Sequence, residues 1–346
     1  MFKNKFSLKH IAMMFACFTV CAVMSCGGND DDDDGGGNGN GGGGADALKT
    51  WTRVEIPQIG QINSIAFGAG KFVIGADGRK VAVSSDNGKT WVVNSNDVVA
   101  NGLIYDGTRF VAIGGSTVSY ATDPSGAWTT ITLSEIDGYS LGGRSIVYGG
   151  GNYIVAGYRG YYAYASSLTG TWSYGKIPEL RGDGEYISYN GLAFGNGKFI
   201  SSSARGKLAY TTNPANGWTI VSNHPFEDNS GGVTFGGNRF ILAASGNTLG
   251  YASDAAGTWT MNARDPMVAA AFECVAFGKD LYVAAGSRIA YTNDPTKGWT
   301  AAQTQPFTLT STGNAIAFGN DTFVAVGVLA SMASEDKGLI AWVSVK

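Results

Sequence analysis

From residue 48 onward the chain is a succession of short apolar runs separated by Gly, Asn and Asp, and none carries the periodicity of an amphipathic helix. The runs are "IAFGAGKFVIG", "LIYDGTRFVAIG", "IVYGGGNYIVAG", "LAFGNGKFIS", "VTFGGNRFILA", "VAFGKDLYVAAG" and "IAFGNDTFVAVG", seven versions of one unit. In every copy an aromatic is followed five residues later by another: Phe67 and Phe72, Tyr105 and Phe110, Tyr148 and Tyr153, Phe194 and Phe199, Phe235 and Phe240, Phe277 and Tyr282, Phe318 and Phe323. This spacing predicts two strands joined by a four-residue hairpin loop, with the rings facing each other across the pair.

The eight tryptophans, at 51, 91, 128, 172, 218, 259, 299 and 342, recur at intervals of 40, 37, 44, 46, 41, 40 and 43 residues. Tyr120, Tyr164, Tyr210, Tyr251 and Tyr291 each stand eight residues before the next tryptophan, with Val83 in that place in the first copy, which predicts a second hairpin. A four-stranded unit of about forty residues, repeated seven times, is the signature of a β-propeller blade. The expected fold is therefore all-β, a seven-bladed β-propeller of four-stranded antiparallel blades spanning 48–346. Neither "GH" nor "WD" occurs, which excludes the WD40 type. Seven aromatic hairpins meet eight tryptophans, so one terminal segment must close the ring. The segment around Trp51 is favoured over Trp342, because "GLIAWVSVK" departs from the spacing of the other copies.

One tryptophan is preceded by "SSDNGKTW", residues 84–91, and the other copies read "ATDPSGAW", "ASSLTGTW", "TTNPANGW", "ASDAAGTW", "TNDPTKGW" and "SEDKGLIAW". The first string matches the Asp-box pattern, and the chain from 48 to 346 resembles the BNR-repeat propellers, a superfamily that includes sialidases, sortilin-type receptors and photosystem assembly propellers. The resemblance implies architecture more than activity. Seven units depart from the six blades of sialidases, and their "FRIP" motif is absent. Asp86 is accordingly read as a turn staple: its carboxylate accepts backbone N–H groups, Gly88 takes the left-handed position, and Trp91 packs between blades.

Residues 1–25 read as a signal peptide, with Lys3, Lys5 and Lys9 ahead of an apolar run too short to span a bilayer comfortably. The run ends at Val23, Met24, Ser25 and Cys26, which resembles a bacterial lipobox and implies lipidation of Cys26; secretion with an unmodified Cys26 is the alternative. Residues 26–47 form an Asp/Gly-rich tether with nothing to bury. Asp30, Asp32 and Asp34 open like a calcium loop, but Gly41 stands where its bidentate Glu belongs. The acidic run after Cys26 also resembles the export signal of surface-displayed lipoproteins, so the chain is expected on the outer membrane, anchored but not spanning.

Without its first 47 residues the chain has equal numbers of basic and acidic residues, which argues against a nucleic-acid partner. Cys17 and Cys21 leave with the signal, so Cys274 has no intrachain partner. His224 is the one histidine after the signal, which excludes a multi-histidine metal site. No cofactor or metal is implied, and a monomer is expected.

Strand alternation places the aromatic hairpins and the Asp-box turns on one face of the disc, and the second-to-third-strand loops and blade connections on the other. The second face carries the loops of uneven length, the usual place for binding on a rigid repeat scaffold. Ten aromatics fall outside the repeat positions: Tyr139, Tyr158, Tyr161, Tyr162, Tyr174, Tyr186, Tyr189, Phe226, Phe272 and Phe307. Six lie between 158 and 189, interleaved with charges. The expected ligand patch is Tyr139, Tyr158, Arg159, Tyr161, Tyr162, Tyr174, Arg181 and Tyr186, with a glycan or a protein as ligand. The alternative is that Tyr162 and Tyr189 sit in strands and fill space between blades. Arg79, Arg159, Arg205 and Arg288 offer a convergent anion site, but simple solvation of loop charges is the favoured reading. The leading function is non-catalytic binding. A glycoside hydrolase or lyase, working through Glu179, Asp183, Glu185 or Asp228, and an envelope assembly factor are the alternatives.

Overall fold

The computed structural model describes residues 46–57, 59–177, 189–203, 206–226, 230–244, 248–262, 271–307, 311–329 and 337–345. Among them, twenty-eight strands form seven four-stranded antiparallel sheets arranged as a propeller. Strand β1 (Thr52–Ile56) precedes blade 1, which is β2 (Ile62–Gly68), β3 (Lys71–Ala76), β4 (Lys80–Ser84) and β5 (Val92–Asn94). Blade 2 is β6 (Gly102–Tyr105), β7 (Phe110–Gly114), β8 (Thr117–Ala121) and β9 (Thr129–Thr132). Blade 3 is β10 (Ser145–Gly149), β11 (Asn152–Ala156), β12 (Tyr161–Ala165) and β13 (Ser173–Lys176). Blade 4 is β14 (Tyr189–Gly195), β15 (Lys198–Ser203), β16 (Leu208–Thr211) and β17 (Thr219–Ile220). Blade 5 is β18 (Ser230–Gly236), β19 (Arg239–Ala244), β20 (Thr248–Ala252) and β21 (Thr260–Met261). Blade 6 is β22 (Phe272–Gly278), β23 (Leu281–Gly286), β24 (Ile289–Thr292) and β25 (Thr300–Ala301). Blade 7 is β26 (Ser311–Gly319), β27 (Thr322–Leu329), β28 (Gly338–Ser344) and, at its outer edge, β1.

The closure thus falls to the segment after Trp51, whose strand pairs with β28 from Thr52 opposite Trp342 to Ile56 opposite Gly338. Trp342 itself lies on a third strand. The string "SEDKGLIAW" is therefore not a counterpart of the other tryptophan turns, a correction that the pairing with β1 makes.

Alternate side chains of a blade point at its two neighbours, so both faces of each sheet are buried and the middle strands are apolar almost throughout. Seven apolar clusters fill the seven seams between adjacent blades. Each seam also holds the tryptophan that leads into an outer strand: Trp91, Trp128, Trp172, Trp218, Trp259, Trp299 and, in the seam between blades 6 and 7, Trp51. The indoles of Trp51, Trp91 and Trp128 donate to Leu48, Gly88 and Pro124 carbonyls at 3.0, 3.0 and 3.1 Å, so each ring also ties down the turn before it.

The seven aromatic pairs stand directly opposite each other, with ring centroids 4.4 to 5.0 Å apart. The loop between them is shorter than the spacing suggests. Gly68 pairs with Lys71, leaving Ala69 and Gly70 alone at the tip with φ of 46° and 72°, a two-residue turn of the type that suits strand twist. Of the seven aromatic hairpins, only that of blade 2 has a four-residue loop, from Asp106 to Arg109.

A second interlock runs round the inner rim. The glycine ending each inner strand, namely Gly68, Gly149, Gly195, Gly236, Gly278 and Gly319, lies under the first aromatic of the next blade. A Cβ at Gly68 would stand 2.1 Å from the Tyr105 ring, and one at Gly319 would stand 2.1 Å from Phe67. Blade 2 breaks the series with Asp106, and the ring it would carry, Tyr148, is 40% exposed.

At the turn 84–90 the Asp86 carboxylate accepts from the amides of Lys89 and Thr90 at 3.1 and 2.9 Å and from the Thr90 hydroxyl at 2.6 Å, while Ser84 donates at 2.8 Å. All its partners lie within the turn, as a staple requires.

Candidate functional site

The loop face around blades 2 and 3 is built by two short backbone devices. In the connection from β9 to β10, Asp137 and Gly138 both take left-handed φ, 52° and 76°, and Ile136 and Tyr139 exchange N–H and C=O bonds at 2.9 Å. Asp137 and Gly138 form the tip of this miniature hairpin, and Tyr139, 46% exposed, is paired directly after it. Between β11 and β12 a 3-10 turn at Tyr158–Gly160 puts Arg159 in the left-handed region at φ 60°. The two devices are joined: the Tyr158 amide donates to Leu141, and the Tyr158 ring lies against Gly142, where a Cβ would meet it at 2.1 Å.

Tyr139 and Tyr158 are each backed by a guanidinium. Arg159 lies 3.8 Å from the Tyr139 ring centroid. Arg144 lies 4.5 Å from that of Tyr158, which is 41% exposed, and also donates to its hydroxyl. Desolvated on one side, such pairs are worth about 0.5–2 kcal/mol. They hold the two rings in place while each stays more than two-fifths exposed.

The other predicted contact residues divide. Tyr161 and Tyr162 are corrections: at 5% and 4% exposure they face seams, not a ligand. The Tyr161 hydroxyl donates to Asp137 at 2.9 Å, which raises its pKa, and Tyr162 donates to the Pro214 carbonyl at 2.8 Å and packs edge-on against Trp218 of blade 4. Strand alternation sends adjacent residues to opposite seams, so two neighbouring tyrosines on β12 are both lost to packing. Tyr174 is half-buried, its hydroxyl accepting from the Ser134 amide at 2.8 Å, and so braces the connection that carries Tyr139. Arg181 and Tyr186 lie outside the described residues, as do Cys26, Arg205, Glu179, Asp183, Glu185 and Asp228; of Tyr189 only the strand position is described. Phe226, Phe272 and Phe307 are buried.

Arg79 and Arg159 do not share one cradle. Arg79 pairs with Asp97 and Arg159 with Tyr139, each on the connection beside its own blade. His224 is held low by burial and the nearby Lys207, and its neutral Nδ1 accepts from the Phe226 amide at 3.3 Å. Among the described residues no three His, Cys, Asp or Glu side chains are grouped as a metal site.

Arg144 and Glu273 escaped the sequence reading, although a positional signal marks both. Each stands four residues before the first aromatic of its inner strand, where other blades have Asn63, Asn101, Asn190 and Asn314. At two of these positions the amide donates across a seam: Asn314 to the Ile62 carbonyl at 2.9 Å and Asn101 to the Gly143 carbonyl at 3.3 Å. Glu273 sits at a β-bulge between the pairs Phe272–Gly286 and Cys274–Ala285, largely buried, and desolvation pushes its pKa up to about 7.

Fold and site together define a seven-bladed propeller with a tyrosine–arginine surface on its loop face. No family model matches the chain, and no curated protein does. Among solved structures it is similar to YCF48 bound to D1 peptide, with a TM-score of 0.63 at 15% identity over 86% of this chain and 97% of that one. It is equally similar to YCF48 from Cyanidioschyzon merolae, with a TM-score of 0.63 at 15% identity over 85% of this chain and 98% of the other.

Proposed function

We propose that this chain is a lipid-anchored, extracytoplasmic binding propeller, displayed on the outer membrane, that holds a peptide segment of a protein partner on its loop face at blades 2 and 3. The observation that carries this reading is the pair of exposed rings, Tyr139 and Tyr158, each fixed from behind by an arginine. A ring fixed in this way offers an apolar face at little entropic cost, while the guanidinium edge beside it can bond a carbonyl or carboxylate. The likeness to YCF48 bound to D1 peptide supports a peptide as the ligand and is compatible with a role in assembling an envelope protein. A glycan is the second reading, because the same ring faces stack on sugars.

Binding of the protein lacking residues 1–25 to arrays of envelope-protein peptides and of glycans tests both. Tyr139→Ala and Tyr158→Ala are expected to weaken peptide binding by about tenfold each, within the range for central aromatic contacts. Peptide binding unchanged by both substitutions would remove the site, and retention on glycans alone would favour the second reading. Incorporation of labelled palmitate, abolished by Cys26→Ala, tests the anchor.

A further inference from the structure

A propeller is generally expected to come apart where its two chain ends meet. We infer that this ring yields first elsewhere, between blades 2 and 3.

The closure is well secured. β1 and β28 pair over five residues, and the Trp51 amide donates to Thr304 at 2.6 Å. The Lys49 carbonyl accepts from Gln303 and Thr304 at 2.9 and 3.0 Å. Between blades 7 and 1 the Phe67 ring covers Gly319, and Asn314 donates to Ile62 behind it.

Between blades 2 and 3 several of the same devices are missing. The inner strands β6 and β10 span four and five residues and carry no bulge, whereas the inner strands of the other five blades span seven to nine and are bulged. They also touch each other least of all neighbouring inner strands. Asp106 replaces the rim glycine, so Tyr148 is turned out to 40% exposure instead of lying on its neighbour. In its place stands a polar cluster: the Tyr153 hydroxyl donates to Asp106 at 2.5 Å, and Arg109 lies 3.3 Å from both Asp106 and the Tyr153 oxygen. On the loop face the two blades are linked through the connection, by the Gly143 amide to Gly115 at 2.6 Å and by Asn101 to Gly143.

The physical difference lies in what water can replace. When a ring leaves a glycine, apolar surface is exposed with no compensation. When Tyr153 leaves Asp106, water solvates both, so most of the bond is recovered. Rim opening is therefore less costly at this seam than at the other six, even though the apolar cluster outside the rim is complete.

Hydrogen exchange of the intact protein, read by mass spectrometry at pH 7, tests this. Amides of 102–105 and 145–149 are expected to exchange at least about tenfold faster than those of 272–278 and 338–344. Asp106→Gly with Tyr153→Phe gives this seam the residues found at most others and is expected to bring the rates within about threefold of each other. Earliest exchange at 52–56 and 338–344, or uniform exchange of all inner strands, would overturn the inference from the wild type alone. A folded double variant with unchanged fast exchange would overturn the assigned cause.

Discussion

Glu273 on β22 carries a titration that the fold must oppose. The carboxyl is largely buried, and the one cause of its shift from 4.5 to about 7 is desolvation. Moving the group from 4.5 to about 7 corresponds to about 3 kcal/mol between the charged and neutral states. The folded pKa lies above the unfolded one, so the native state binds the proton more tightly. Stability associated with this group is then complete below about pH 4.5 and is lost as pH rises toward 7. Glu273→Gln keeps the shape, removes the charge and supplies an amide at the position where Asn314 and Asn101 donate to the next blade. Urea unfolding followed by tryptophan fluorescence should find the variant near wild type at pH 5 and more stable than wild type at pH 8. The difference between variant and wild type should grow by about 2–3 kcal/mol over that interval. Taking the variant-minus-wild-type difference cancels the titration of every other group. A difference that stays constant from pH 5 to pH 8 would refute the buried-carboxyl argument.

Two further outcomes follow from the rim. Burial pushes the Asp106 carboxyl up, but hydrogen bonds from Tyr153, Thr108 and Arg109 outweigh it and hold the group below its usual range, so its contribution is present above about pH 4 and fades in acid. Asp106→Asn should cost about 1.5–3 kcal/mol in urea unfolding at pH 7 and progressively less below pH 4; an equal cost at pH 3 would contradict the assignment. Gly278→Ala places a Cβ 2.0 Å from the Phe318 ring and should lower stability by about 1–3 kcal/mol in thermal unfolding, whereas the same change at Gly126, where a Cβ would meet nothing closer than 3.5 Å, adds no such clash; equal losses at the two sites would sink the interlock.

The aromatic pairs and the tryptophan spacing were legible because a repeat reports one solution seven times. Phe67 opposite Phe72 and Trp91 in its seam are readable from spacing alone, since strand alternation and hairpin pairing are local. The choice of Trp51 over Trp342 for closure also followed from irregular spacing. In six blades the hairpin loops are two residues long where the aromatic spacing predicts four, because residues such as Gly68 and Lys71 look like loop residues and are paired ones. The ligand patch was only partly legible. Tyr139 and Tyr158 are exposed, yet Tyr161 and Tyr162, so similar in sequence, are walled in by neighbouring blades.

Local composition and period therefore determined the blade, the number of blades and the residues that pack between them, because those properties arise within about forty residues of chain. Contacts across the seams decided the rest: which tyrosines see solvent, which arginines back them, why Glu273 resists ionising, and where Asp106 interrupts the rim. Those properties depend on side chains that face one another only after each blade has been set against the next, and burial there is a property of the pair of surfaces, invisible in either strand alone.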